Sequence, residues 1–413
     1  MVQIYQRNWQ RRIINAFICY LRDVIVNLLP VKKLPSFIIK LLYGVEPSFS
    51  FFVHPRSYQD VFISAPFLKP IKFFLRKKVA YKFVALIGPF VVSTLKTPSG
   101  INGLVVAQLM VPEILLTNRK DSLIRLKRMM KFIRKISRRG SVVGLGAWFP
   151  MFTKRGLALS ESAKELNLVV TNGHLGTLIS IYLTIHKIAS LSNFKLSNLD
   201  IAIIGVGKMG GNVARVLNGK VRSLTLIDIQ KSTLDKTKDI LEKMPNSSQI
   251  KFFLSQGDGR GVREALKGTQ IGVCATSTFR NLLKLKDMPL GYIAIDDSRP
   301  EALPRDPRGE RIILEGGLLR IRGATQEYDY GFGKDENVFG CLGEAFLLAS
   351  DKKRIIHPTL GEVNIENFYN ALKLFEKIEI TVGDFKSSDT VISDQDIRNA
   401  LIRQEQKFVD MEI

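Results

Sequence analysis

The chain has little cysteine, little acid in its first third, and no long apolar run. Its three cysteines, Cys19, Cys274 and Cys341, lie far apart among 413 residues and form no metal-ligand spacing. An odd, scattered set argues against a disulfide framework and fits a reducing compartment. No stretch reaches the roughly 18–20 apolar residues needed to span a bilayer, and the longest candidate, 83–95, is broken by Gly88-Pro89. Arg22 and Asp23 interrupt the apolar start, and no small-residue cleavage site follows it. The expectation is therefore a cytoplasmic protein, either free or peripheral at the inner membrane face. Internal repeats and low-complexity segments are also missing.

Charge is distributed unevenly. Lys and Arg number 61 against 38 acidic residues, a formal net charge of +23. Residues 1–140 hold 25 basic and 5 acidic residues, a net of +20, which leaves 36 and 33 for 141–413. Such asymmetry marks a surface that meets something anionic: nucleic acid, an anionic membrane, or an acidic partner. No helix-turn-helix, zinc or RNA-stacking signature accompanies the basic residues, so nucleic acid is the least supported of the three. Residues 1–45 read as one or two basic amphipathic helices separated by Pro30 and Pro35. Their apolar face runs through Ile13, Ile14, Phe17, Ile18, Leu21, Val24, Ile25 and Leu28. That face either packs on the body of the protein or lies on an anionic bilayer.

The pattern divides the chain into a basic amphipathic region (1–96), a small α/β substrate domain with a connecting helix (97–190), a dinucleotide-binding domain (191–350) and a helical tail (351–413). In the second segment, strands are expected at 103–110, 141–146 and 168–171, with helices at 121–137 and 160–166. A long helix opens at Gly173 and runs to 191. From 200 to about 320, strands at 200–205, 223–228, 249–254, 270–275 and 291–296 alternate with helices. The fold class is α/β with a doubly wound parallel sheet. The tail carries helices near 364–378 and 394–408.

Gly205-x-Gly207-x-x-Gly210 leaves an apolar strand and enters an amphipathic helix, with Lys208 and Met209 between its last two glycines. In that context Gly205 makes the tight turn, Gly207 admits the pyrophosphate and Gly210 allows close helix–strand packing. The helix start offers its N–H groups to phosphate. Asp228 ends the second strand, where an acid accepts hydrogen bonds from the adenosine ribose and repels a 2′-phosphate. The cofactor is therefore NAD(P)H, with NADH favoured, although Lys231 lies close by. The other reading of Asp228 is an ordinary turn residue or helix cap. Thr276, Ser277 and Thr278 follow another strand end and are placed at the nicotinamide ribose. Asp296-Asp297-Ser298-Arg299-Pro300 follows a further strand, where Asp296 either orients a ligand or caps a turn. Glu315-Gly316-Gly317 is placed near the nicotinamide, and His54-Pro55-Arg56 is a polar cluster without a role. No metal site is read.

Three segments together, VVTNGHLGTLISIYLTIHKIA, the glycine motif some thirty residues later, and NVFGCLGEAFLLAS, resemble cyanobacterial-type long-chain acyl-acyl-carrier-protein reductases. SGINGLVVAQLMVPEIL and ILEGG extend the likeness over about residues 97–350. More distantly, the layout is similar to shikimate dehydrogenase and glutamyl-tRNA reductase. The resemblance implies a two-step reduction in which a cysteine, at Cys341 here, takes a fatty acyl group from acyl carrier protein or coenzyme A. Hydride transfer then releases the aldehyde. The residues agree, because a thiol in the first turn of a helix is biased towards thiolate; the same cysteine reads equally as a small packing residue. The family has asparagine at the position of His174 and histidine at that of Gly176, so His174 either supplies the imidazole here as a general acid or is a cap or packing residue at the helix start. Asp228 departs from what an NADP-dependent relative would carry. The alternative is a shikimate- or amino-acid-dehydrogenase-like oxidoreductase acting on a small polar substrate without a covalent intermediate.

Overall fold

A computed structural model of the chain describes residues 9–412 except 56, 75–76, 193–194, 246, 257–260, 278–281, 299–300, 327–335, 379 and 388–389. The chain forms two compact units. One takes residues up to Gly173 with Arg322–Tyr330 and Cys341–Glu362; the other takes His174–Ile321, Gly331–Gly340 and Val363–Ile413.

Near-continuous apolar strands are what a sheet covered on both faces requires, and the first unit is built from them. Its strands are β1 (Phe49–Val53), β2 (Phe90–Lys96), β3 (Gly103–Ala107), β4 (Val142–Leu145) and β5 (Val169–Thr171). β1 lies at the centre, parallel to β3 on one side and β4 on the other; β5 continues parallel to β4, and β2 runs antiparallel along β3. The short strand Thr325–Gln326 closes the edge beside β2. β1 and β2 thus add two strands from the region read as basic amphipathic helices. The basic helix expected at 121–137 forms as Arg119–Ile136, burying Leu126, Met129, Phe132 and Ile133 on one face.

The N-terminal helix, Trp9–Leu28, turns most of its apolar stripe to the surface of the unit. Ile14, Phe17, Ile18, Leu21, Ile25 and Leu28 are exposed, while Asp23 and Val26 are buried. Packing of these six residues on the body of the protein, one of the two alternatives, is therefore not what the structure has, while Val24 is half-buried. The cause is a buried carboxylate: Asp23 accepts hydrogen bonds from the Val91 N–H (2.6 Å) and the Tyr43 hydroxyl (2.9 Å) and pairs with Arg22 (2.8 Å). Those partners hold the side that carries Tyr20, Asp23 and Val26 inward, with the Tyr20 ring against Phe67 and Phe90.

The second unit carries six parallel strands: β6 (Asp200–Ile204), β7 (Ser223–Asp228), β8 (Gln249–Leu254), β9 (Ile271–Cys274), β10 (Ile293–Asp296) and β11 (Ile312–Glu315). Their order is β8-β7-β6-β9-β10-β11, the 3-2-1-4-5-6 arrangement of dinucleotide-binding sheets. The protein is thus α/β with a doubly wound parallel sheet. Five strands fall within two residues of expectation; β11 is additional. The long helix forms as His174–Leu191. The tail holds helices Ile365–Phe375 and Asp394–Glu412, and also short strands, among them Ile380–Val382, which pairs with Leu318–Ile321.

Candidate active site

In the doubly wound sheet the chain proceeds from β6 to β7 in one direction and from β9 to β10 in the other, so the switch point lies between β6 and β9. Ligands bind outside the carboxyl ends of strands at such points. Gly205 follows β6 with φ of 84°, a conformation suited to glycine, and a Cβ there would stand 2.9 Å from the Ala275 carbonyl oxygen and from Thr276 Cγ2. Thr276 is thereby placed beside the glycine turn. Gly207 faces open space, with nothing within 4 Å of an added Cβ. Gly210 is the reverse: a Cβ would collide with the Gly205 carbonyl oxygen and lie 3.1 Å from Ile203 Cγ2. The helix Lys208–Leu217 starts at Gly207 with no side-chain cap, and both Gly207 and Lys208 are exposed while Met209 is half-buried. This cradle, bare where phosphate would approach and tight beneath, fits a dinucleotide pyrophosphate.

Asp228 has a structural task as well as a suitable position. Its carboxylate accepts the Val206 N–H (2.7 Å) and the Gln230 N–H (2.9 Å), tying the end of β7 to the glycine turn. Both oxygens retain acceptor capacity for hydroxyl groups. Ser277 is exposed beyond β9, and the Thr276 N–H donates to Ser298 Oγ (3.2 Å). Thr278, Arg299, Pro300 and Arg56 lie outside the described residues.

Two other sequence candidates have capping or packing tasks. Asp296 is buried and accepts the N–H groups of Ser298, Ala302 and Leu303 at 2.8–2.9 Å, so it caps the turn after β10; burial raises the pKa of this carboxyl. Gly316 and Gly317 are explained by packing. A Cβ at Gly316 would meet Asp297 Cα at 2.5 Å, and one at Gly317 would meet Ser180 of the long helix, with its carbonyl carbon at 2.7 Å.

The first unit holds the cysteine. Cys341 is the second residue of the helix Gly340–Ser350, half-exposed and not in a disulfide. It sits against the carboxyl end of β5: a Cβ added to Gly173 would overlap the cysteine's own Cβ and lie 2.8 Å from its Cα. One turn further along, Glu344 is fully buried, accepting a hydrogen bond from the Thr171 hydroxyl and the Thr359 N–H (3.2 Å). Asn172, also buried, donates to the Arg155 carbonyl (3.2 Å) and the Gly361 carbonyl (3.3 Å). Thr171, Asn172 and Glu344 were not singled out from the sequence, yet a lone acid in the otherwise apolar GCLGEAFLLAS was a legible signal. The loop after β4 adds Ala147, Lys154 and Arg155 with φ of 50–55°; residues other than glycine rarely adopt this conformation.

His54 also acquires a role, a structural one. Nδ1 donates to the Pro55 carbonyl (2.9 Å), Nε2 accepts the Trp148 N–H (3.0 Å), and burial lowers the imidazole pKa to about 4. His174 is half-buried and opens the long helix at the start of the second unit.

No protein-family profile matches the chain, and no curated protein matches it. Among solved structures, the chain is similar to shikimate 5-dehydrogenase from Listeria monocytogenes, determined with shikimate and NAD. Identity is 11% over 80% of this chain and 96% of that one, with a TM-score of 0.33. It is similar to the nucleotide-binding domain of glutamyl-tRNA reductase from Thermoplasma volcanium at 12% identity, covering 32% and 83% of the two chains, with a TM-score of 0.25. The A subunit of dipicolinate synthase from Bacillus halodurans gives 15%, 42% and 56%, and 0.27. Each is a likeness of fold alone.

Proposed function

We propose that the protein is an NAD(P)H-dependent oxidoreductase that reduces a fatty acyl thioester of acyl carrier protein or coenzyme A to the aldehyde, releasing the carrier thiol and NAD(P)+. The supporting observation is the seat of Cys341, a half-exposed thiol in the first turn of a helix, against the carboxyl end of a parallel sheet. The positive end of the helix favours the thiolate, which attacks the thioester carbonyl; the acyl group passes to Sγ and the carrier thiol leaves with a proton. Glu344 pins this helix to β5 through Thr171 and so positions the nucleophile. A nicotinamide dinucleotide whose pyrophosphate the glycine turn would hold would supply hydride when bound. His174 is assigned as the acid that protonates the resulting alkoxide; collapse of the thiohemiacetal then breaks the C–S bond, returns the hydroxyl proton to His174, frees the aldehyde and restores the Cys341 thiolate. Asp228 accepts the ribose hydroxyls and disfavours a 2′-phosphate, which makes NADH the preferred donor. The positive field of residues 1–140 suits either carrier, one an acidic protein and the other polyphosphorylated.

The test is turnover of palmitoyl thioesters of carrier protein and coenzyme A with NADH and NADPH, following aldehyde. Cys341→Ala should lower this activity by about a thousandfold or more and abolish trapping of a labelled acyl group on the protein. If no acyl thioester reacts, while a small keto acid is reduced equally well by wild type and Cys341→Ala, the thioester reading is wrong and direct hydride transfer replaces it.

A further inference from the structure

The N-terminal helix carries an apolar stripe at helical spacing, Ile14, Ile18, Leu21, Ile25 and Leu28, and every member is exposed, Leu28 at 76%. At 1.5 Å per residue the stripe is about 21 Å long. Such a stripe is what a surface helix normally turns to the core. Here the opposite side is anchored instead: Asp23, at 0% exposure, is bonded to the Val91 N–H and to Tyr43, so the stripe is held outward.

The helix Ser36–Tyr43 does the same. It is joined to the first helix through Tyr43 and through Arg22, whose guanidinium donates to the Leu42 carbonyl (3.0 Å) and lies over the Tyr43 ring. It buries Ile39 and Tyr43 while exposing Phe37 and Leu41, the latter at 81%. In the helix Lys77–Leu86, Phe83 and Leu86 are exposed as well.

Charge identifies the occupant. Among the described side chains on and between the helices Trp9–Leu28 and Ser36–Tyr43, the exposed charged ones are Lys32, Lys33 and Lys40, all basic. Of the five acids before residue 140, Asp23 and Glu46 are buried in ion pairs. A second copy packed on this face in a twofold dimer would bring these lysines up against their own like charges. An anionic bilayer instead neutralises the charge and accepts the apolar stripe at the depth of the headgroups. Among the described residues no helix is long and apolar enough to cross a membrane, which leaves binding in the plane of the interface.

We propose that the outward face of the helices Trp9–Leu28 and Ser36–Tyr43 docks the protein onto an anionic lipid bilayer. The proposal stands on this surface alone and holds whatever reaction the protein catalyses.

The test is co-sedimentation of the full chain with phosphatidylcholine vesicles, with and without phosphatidylglycerol. Binding to the anionic vesicles should be about tenfold or more tighter than to neutral ones and should weaken with salt. Leu21→Asp/Ile25→Asp should reduce it by about tenfold or more with an unchanged circular dichroism spectrum, because both residues are exposed. Lys32→Glu/Lys40→Glu should weaken anionic binding without touching the stripe, and serves if the first variant misfolds. Failure of the wild type to sediment with anionic vesicles overturns the proposal. A stable dimer that Leu21→Asp/Ile25→Asp makes monomeric, without vesicle binding, also overturns it and assigns the face to a second copy.

Discussion

Between β6 and β9, at the switch point of the second unit's sheet, the chain leaves backbone bare: Gly207 has open space above it and no side chain caps the helix that follows. The first unit's sheet has its own switch point between β1 and β4, and there side chains fill the ground. His54 follows β1 and receives the N–H of Trp148 from the loop after β4, with the Phe149 ring edge-on to the imidazole at 5.0 Å. Both sheets have parallel strands at their centre, yet one spends its switch point on a ligand cradle and the other on sealing itself. The cysteine of the first unit lies two strands from its centre, beside β5, where Gly173 leaves room for it. Parallel topology supplies a place for a ligand, and the residues after each strand decide whether it stays open.

The sharpest way to break this comparison is to fill the open cradle from below and from above. Gly210→Ala forces a Cβ onto the Gly205 carbonyl, a backbone group that cannot rotate away. The expected cost is about 3 kcal/mol or more of stability, with loss of NADH binding. Gly207→Ala meets nothing within 4 Å, so stability should change by less than about 1 kcal/mol while NADH affinity falls by about tenfold or more. Thermal unfolding and NADH titration separate the two. Equal destabilisation by both variants would mean that Gly207 serves packing rather than a cofactor.

The sealed switch point should reveal itself through acid. His54 is held neutral, its pKa lowered by burial to about 4 from an ordinary 6.5. Between those values the unfolded chain binds the proton and the folded protein does not, so stability falls as pH drops from 6.5 towards 4 and is retained above 6.5. The full contribution is about 3 kcal/mol. His54→Gln keeps an acceptor for the Trp148 N–H and should flatten the pH dependence of the unfolding midpoint across this window. An unaltered slope would show that another group drives the acid transition.

Much of this architecture was legible in sequence, for identifiable reasons. β6, β7 and β8 begin within one residue of expectation because each is an apolar run ending at glycine, acid or serine, with helix-length crossovers between them. β1 was missed because FSFFV is buried on both faces and shows no alternation to distinguish it from the apolar side of a helix. Periodicity located the apolar face of the N-terminal helix but could not say which side faces solvent; that depends on Val91 and Tyr43, both remote in sequence from Asp23. The packing tasks of Gly316 and Gly317 were not legible because the atoms they accommodate belong to Asp297 and Ser180. Spacing identifies glycines that shape their own turn, and only contacts identify those that make room for a neighbour.

Asp228 belongs to both sides of the comparison, since it is a structural acceptor within the open cradle. Its two backbone bonds hold the glycine turn to β7, so Asp228→Ala should cost about 1–2 kcal/mol by leaving the Val206 N–H unmatched. If the carboxylate also meets the ribose, the variant should lose its preference for NADH over NADPH as well. Asp228→Asn separates the roles. The amide oxygen still accepts the Val206 N–H, which preserves most of the stability, while the negative charge that disfavours a 2′-phosphate is gone. The ratio of kcat/KM for NADH to that for NADPH should therefore fall in Asp228→Asn almost as far as in Asp228→Ala, although the two differ in unfolding midpoint. A ratio unchanged in both variants would reduce Asp228 to a structural residue and move cofactor choice elsewhere in the cradle.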